Sequence, residues 1–267
     1  MAPQRVHHFH AEATALHASL QHPLNGDIKP QNHLNLHPEG GYLSDHAKDY
    51  RVDNVVSFKA AHTHVAGHES PKRDHPWITL TTSSIEQLNV LEVVTADRVV
   101  SQIATEHPRP DGLHVPKVTF LGTRFENLRV GGYEVKVEFN PKLWYLQPPS
   151  DDLPYIADAG FLKEIHSSDS FPDVKREWDG YLKQMAAGDG KKPGATAKGT
   201  LVEKLSAGPF QVSGNRVKVP KFGEIVVAEL EIDCDTFHLT MLRLEMGCLA
   251  AGTMQMSSTI VNGSTRP

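Results

Sequence analysis

The chain has 267 residues, enough to bury a substantial core as one large β domain or two smaller ones. With 39% hydrophobic and 22% charged residues it has the composition of a globular protein and not of a disordered one. A formal net charge of −5 gives no broad attraction for nucleic acid or anionic membrane, and no stretch approaches the roughly 20 apolar residues that span a bilayer.

In chain order, Met1 to His10 carry no apolar leader core, so no secretory signal is expected. Two cysteines, Cys234 and Cys248, are too few for a disulfide framework, and together these features predict a cytoplasmic protein. From Val6 to Leu20, Phe9, Ala11, Ala13 and Ala15 alternate with polar residues, which predicts a strand. A helix is the rival reading, because alanine favours helices, but no 3.6-residue apolar stripe supports it. Val55 to Val65 and Trp77 to Ile85 read as strands. Val90 to Val94 and Arg98 to Ala104 flank Thr95-Ala96-Asp97 as strand, turn, strand, and Val118 to Phe125 carries another. The strongest local signal follows. Tyr133, Val135, Val137 and Phe139 alternate with Glu134, Lys136 and Glu138, and Gly131-Gly132 supplies a two-residue primed turn after Leu128-Arg129-Val130.

Between 141 and 200 the character changes. Pro148-Pro149 opens a loop, and Val174, Trp178, Tyr181, Leu182 and Met185 mark one face of a helix over Phe171 to Ala187. Gly188 to Gly199 reads as a connection. Beyond it, Phe210 to Val212 and Arg216 to Val219 bracket the turn Ser213-Gly214-Asn215, and Ile225 to Ile232 precedes Phe237 to Met246. The fold expected is mainly β: an antiparallel sandwich or barrel, with a β-solenoid possible, and one helix-containing insertion at 141–200. Residues 1–140 and 201–267 are expected to pack together as one domain.

Fourteen of the sixteen histidines fall between His7 and His114. Imidazole is a common ligand of borderline metals. The densest cluster is His62-Thr63-His64-Val65-Ala66-Gly67-His68-Glu69. In a strand His62 and His64 share a face, which an unbroken alternation makes the face of Val56, Phe58 and Ala60. Two imidazoles and a carboxylate there could hold a divalent transition metal inside a barrel. The alternative is that these histidines satisfy hydrogen bonds at a strand end or face solvent. The His7-His8-Phe9-His10 run has the same two readings. The spacing of His62, His64 and Glu69 resembles the first cupin motif, and Pro110-Asp111-Gly112-Leu113-His114 resembles the second with one residue too few. Val56 stands where the first motif has glycine. That resemblance implies a metal-dependent enzyme with His62, His64, Glu69 and His114 as metal ligands.

No nucleophile elbow, Cys-x-x-Cys, Walker loop, dinucleotide fingerprint or His-Glu-x-x-His occurs. Asp151 and Asp152 read as solvated loop carboxylates. Asp97-Arg98 and the charges from Arg124 to Arg129 predict either cross-strand ion pairs or the lining of a groove. Trp77, Trp144 and Tyr145 are candidates for a stacking platform or for core packing. The strings from Leu88 to Val100 and from Phe120 to Val130 resemble segments of uncharacterised bacterial β-rich proteins, a resemblance that implies no activity or site. The leading expectation is a non-catalytic β module for partner binding or self-assembly, with the apolar tract Phe237 to Met256 suited to an intersubunit sheet. A cupin-like metal enzyme and a small-molecule or carbohydrate-binding barrel are the alternatives.

Overall fold

The computed structural model describes residues 6–22, 25–71, 77–107, 115–148, 155–165, 196–233, 236–247 and 251–266. Its elements begin with β1 (Val6–His22), β2 (Gly26–Gln31), β3 (Leu34–Asn35), β4 (Gly41–Val52), β5 (Val56–Glu69), β6 (Trp77–Val90) and β7 (Val94–His107). Short strands follow: β8 (Lys117–Thr119), β9 (Arg124–Glu126), β10 (Arg129–Val130), β11 (Tyr133–Phe139) and β12 (Tyr145–Leu146). After a helix, α1 (Ala159–Glu164), come β13 (Thr196–Thr200), β14 (Val202–Ala207), β15 (Gln211–Ser213), β16 (Arg216–Val219), β17 (Gly223–Asp233), β18 (Thr236–Gly247) and β19 (Ala251–Arg266).

Among the described residues the strands form two antiparallel sheets facing each other, an open sandwich and not a closed barrel. Sheet 1 runs β15-β16-β17-β18-β19-β1-β2, with β13 beside β17 and β3 beside β1. Sheet 2 runs β14-β11-β10-β7-β6-β5-β4, with β8 and β9 also on β7 and β12 on β8. Strands from 1–140 and from 201–267 share both sheets. The N-terminal segment is a strand, since β1 lies between β19 and β2 and buries its small alanines against sheet 2. The double-glycine hairpin forms as its sequence predicts, with positive φ at Gly131 (54°) and Gly132 (83°).

The turn predicted at Thr95-Ala96-Asp97 lies elsewhere. The chain reverses at Leu91-Glu92-Val93, where Leu91 and Glu92 take φ of 52° and 57°, and Thr95 to Asp97 run inside β7. Within 141–200 the described residues hold α1 and the strands β12 and β13. The predicted helix over 171–187 lies outside the described residues.

Each long strand carries one residue that breaks its alternation, and these residues line up. Asp49, Lys59, Gln87 and Asp97 form a row across β4 to β7, skipped by ladders that keep the same register on either side. Ala228, Met241, Ser257 and Ala15 form the equivalent row across β17, β18, β19 and β1. In each row every second strand is left-handed: Asp49 and Gln87 at 52°, Ala228 at 48° and Ser257 at 52°. Because each neighbour carries its own extra residue, no strand slips, but the inward face changes parity across the row. On β5, Val56 and Phe58 point inward before the crease, and Ala61, Thr63 and Val65 after it.

The core also differs on the two sides. On the hairpin side it is aliphatic, with Val55, Leu88, Val90, Val94, Val130 and Leu242 buried. Near and beyond the crease small and hydroxylic residues bring the sheets together. Thr81 Oγ1 donates to the Glu12 carbonyl (2.8 Å), Ser83 Oγ to that of Thr14 (2.9 Å), and Ser257 Oγ to that of Ser83 (2.8 Å). A Cβ on Gly67 would lie 2.6 Å from the Phe9 ring, so glycine is what lets β5 approach β1 here.

Candidate functional site

The crease decides where the histidines go. Lys59 shifts the parity of β5, so His62 and His64 leave the face of Val56 and Phe58 and project from the outer face of sheet 2. There His62 stacks on His46 with ring centroids 6.2 Å apart, and His64 meets Tyr42 at 4.6 Å. Desolvation lowers the His64 pKa. Glu69 stands on the opposite face, paired with Trp77, whose ring stacks on the buried His7 at 4.9 Å. Five residues of strand, about 17 Å, separate it from His64. The three side chains therefore do not converge, and His114 lies outside the described residues. Among the described residues no group of three or more His, Cys, Asp or Glu could hold a metal ion. Among the described residues, then, His62, His64 and Glu69 are not placed to share one metal.

The predicted charge cluster makes cross-strand pairs. Glu86, Arg98 and Glu126 stand directly opposite one another on β6, β7 and β9, and Arg98 bonds Glu86 and approaches Glu126 at 4.0 Å. They line an open groove of about 520 Å³ along the crease.

A second hollow, of about 480 Å³, has a different character. The free edge of β7 is shared among β10, β9 and β8. β11 stays with β10 for two residue pairs and one further bond, Val135 N–H to the Leu128 carbonyl (2.8 Å), then turns away to pair with β14. Among the described residues no ladder joins β11 to β9, so the sheet opens into a wedge. Three half-buried rings fill its floor: Phe125 and Phe139 lie parallel at 6.1 Å, and Phe139 meets Trp144 at 5.2 Å. Trp144 is held firmly. Asn140 Oδ1 accepts from Lys142 N–H (3.0 Å) to start a short 3-10 turn, Leu143 anchors that turn in the core, and the Trp144 carbonyl accepts from Phe120 N–H (3.0 Å). Arg124, Glu134 and Lys136 stand among the polar residues around the rings.

Of the predicted platform, only Trp144 lies in the wedge. Trp77 sits at the far end of the sandwich, and Tyr145, 45% exposed, pairs with Thr119 outside the wedge lining. Sequence reasoning missed Phe125 and Phe139. The alternation of β11 puts Phe139 on the inward face with Val135, but only the departure of β11 from β9 uncovers it.

The outer face of sheet 1 carries a further polar network. His238 Nε2 lies 2.7 Å from Ser258 Oγ and 3.2 Å from Thr240 Oγ1, while Nδ1 faces Glu231 at 3.8 Å. His238, with Lys198 at 2.5 Å, holds the Glu231 carboxyl down to about 2. Nearby, burial and then the fields of His238 and His33 lower the His17 pKa. Since the folded pKa of Glu231 lies below its unfolded value of 4.5, its contribution to stability is present above pH 4.5 and lost as pH falls towards 2. Melting temperature should therefore drop over that window, and Glu231→Gln should flatten the drop; an unchanged profile in the variant would refute this role.

Among the described residues no helix is long and apolar enough to cross a membrane. No curated protein matches the sequence, and no solved structure matches the chain. One family model matches residues 7–233, from the first strand of sheet 1 to the end of β17. The chain therefore belongs to the family described as Domain of unknown function (DUF8256).

Proposed function

We propose that this is a non-catalytic β module that binds a small ligand with a flat, weakly polar face, such as the ring face of a carbohydrate, in the wedge between β9 and β11. The carrying observation is the aromatic floor of Phe125, Phe139 and Trp144, half-buried at a break in an otherwise continuous sheet. Its volume falls in the range of small-molecule sites, and rigid strands and a capped turn preset its shape. Aromatic rings held this way stack on a ligand at little cost in side-chain entropy. The scarcity of cysteine supports placing the module in the cytoplasm.

Titrating the protein with a panel of neutral and charged oligosaccharides, followed by calorimetry and tryptophan fluorescence, tests the reading. A binder should emerge, and Trp144→Ala should weaken it by about tenfold or more. Absence of any binder, or a Trp144→Ala variant that binds as well as the parent, overturns it.

One observation favours a second reading, docking of a partner or of another copy. β4 is a 12-residue strand with, among the described residues, no strand on its outer edge. The tract Phe237 to Met256 does not serve for this, because β18 and β19 are paired on both edges inside sheet 1. Light scattering across micromolar concentrations checks self-assembly, and a monomer throughout would remove it.

A further inference from the structure

We propose that Ser258 is a modification site, a serine set to take one acyl group from a thioester or aryl ester on the outer face of sheet 1. The carrying observation is a chain of three side chains on three neighbouring strands. Ser258 Oγ on β19 lies 2.7 Å from His238 Nε2 on β18, and His238 Nδ1 faces the Glu231 carboxylate on β17 at 3.8 Å. The ladders fix these places. Glu231 stands directly opposite His238, and Ser258 opposite Thr240, two residues further along β18. Lys198, opposite Glu231 on β13 and 2.5 Å from its carboxylate, completes the row. A carboxylate at Nδ1 draws the imidazole proton there and leaves the Nε2 lone pair for a hydroxyl proton, the arrangement that makes a serine nucleophilic. Thr240 Oγ1 also approaches Nε2, but from farther away, at 3.2 Å.

In the step, Ser258 Oγ attacks the acyl carbon, a C–O bond forms, and the hydroxyl proton passes to His238 Nε2. The bond from the acyl carbon to the leaving group then breaks, and His238 gives its proton to the departing thiolate or phenolate. The products are O-acyl Ser258 and a free thiol or phenol. Ser258 is 7% exposed and the His238 side chain 25%, which restricts the donor to a small or linear acyl group. Ladders to Thr240 on one side and Thr14 on the other take up the main chain here, so among the described residues no pair of free N–H groups flanks Ser258 to hold an oxyanion. Attack by water on the acyl-serine lacks that help as well. The acyl group therefore stays, one per chain, in keeping with a non-catalytic module.

The test incubates the full chain with p-nitrophenyl acetate or the acetyl thioester of N-acetylcysteamine, followed by mass spectrometry of the intact protein and its peptides. Hydroxylamine cleaves a serine ester and leaves a lysine amide, so it separates the label sought from background. One hydroxylamine-labile acetyl group per chain should appear on the peptide that contains Ser258. His238→Gln should slow its appearance by about a hundredfold, since the proton acceptor is gone. Glu231 is a positioning residue that acts through the ring. Glu231→Gln should slow the step by about tenfold, while Glu231→Asp, which keeps the charge, should stay closer to the parent. Each variant is first shown to be folded at the assay temperature. A parent with no labile acetyl group on Ser258, or a His238→Gln variant labelled at the parent's rate, overturns the proposal. Release of many equivalents of nitrophenol per chain overturns its one-time character. None of these outcomes bears on the wedge.

Discussion

Arg243→Met should destabilise the protein by about 3–5 kcal/mol, because it leaves a buried carboxylate without its counter-ion. Arg243 and Glu229 lie on adjacent strands, β18 and β17, with side chains only 17% and 8% exposed. They meet through two parallel bonds of 2.7 Å, Nε to Oε2 and Nη2 to Oε1, while Nη1 reaches Glu245. Taking both charges out of water is costly, so the pair itself adds little net stability, and breaking it is what hurts. Removing both partners, as in Glu229→Leu/Arg243→Met, should therefore recover most of the loss. Urea unfolding of the two single variants and the double variant reads this directly. Additive losses in the double variant would refute the account.

The next largest effect is expected at Ser257, which is fully buried and left-handed at the centre of the crease of sheet 1. Its hydroxyl accepts from the Ser101 N–H (3.0 Å) and donates to the Ser83 carbonyl (2.8 Å), both across the sandwich. β9 ends its pairing opposite Val100 and β8 begins opposite Ala104, so Ser101 lies in the gap between these partners. Ser257→Ala should leave its N–H without that acceptor in a dry interior, at a cost of about 2–3 kcal/mol. Ser257→Gly loses the same bonds but relieves the left-handed backbone, and should be less damaging by about 1 kcal/mol. If alanine proves as stable as serine, the hydroxyl is not what joins the sheets here.

These cases show which features a sequence exposes. The hairpin at Gly131-Gly132 was legible because one face of β11 alternates with the other and the turn has its own chemistry. The reversal at Leu91-Glu92-Val93 was not, since a leucine and a glutamate occupy positive φ where Gly, Asn or Asp is the usual signal, while Thr95-Ala96-Asp97 looks more like a turn and is strand. The crease was hidden for a deeper reason. One added residue leaves a strand's composition untouched and changes only its phase, so alternation carried forward from Val56 and Phe58 assigns His62 and His64 to the wrong face. The wedge is a tertiary event, decided where β11 parts from β10, and no local pattern around Phe125 announces it. Trp144 was recognisable as an aromatic of interest, but its neighbours in the site were not.

The aligned extra residues also restrict what can be added to the sandwich. A strand joining β4 along its length must bring a matching phase change opposite Asp49, as Lys59 of β5 does. A second copy related by a two-fold axis that sets Asp49 opposite Asp49 would bring the outward Lys48 of one strand against the inward Tyr50 of the other, which disfavours that register. A self-pairing confined to 41–48 would meet the Asn32 amide, which already faces the His46 and Ala47 N–H groups, with its oxygen placed to accept from both. The kink thus narrows the registers in which any added strand could extend sheet 2 past β4.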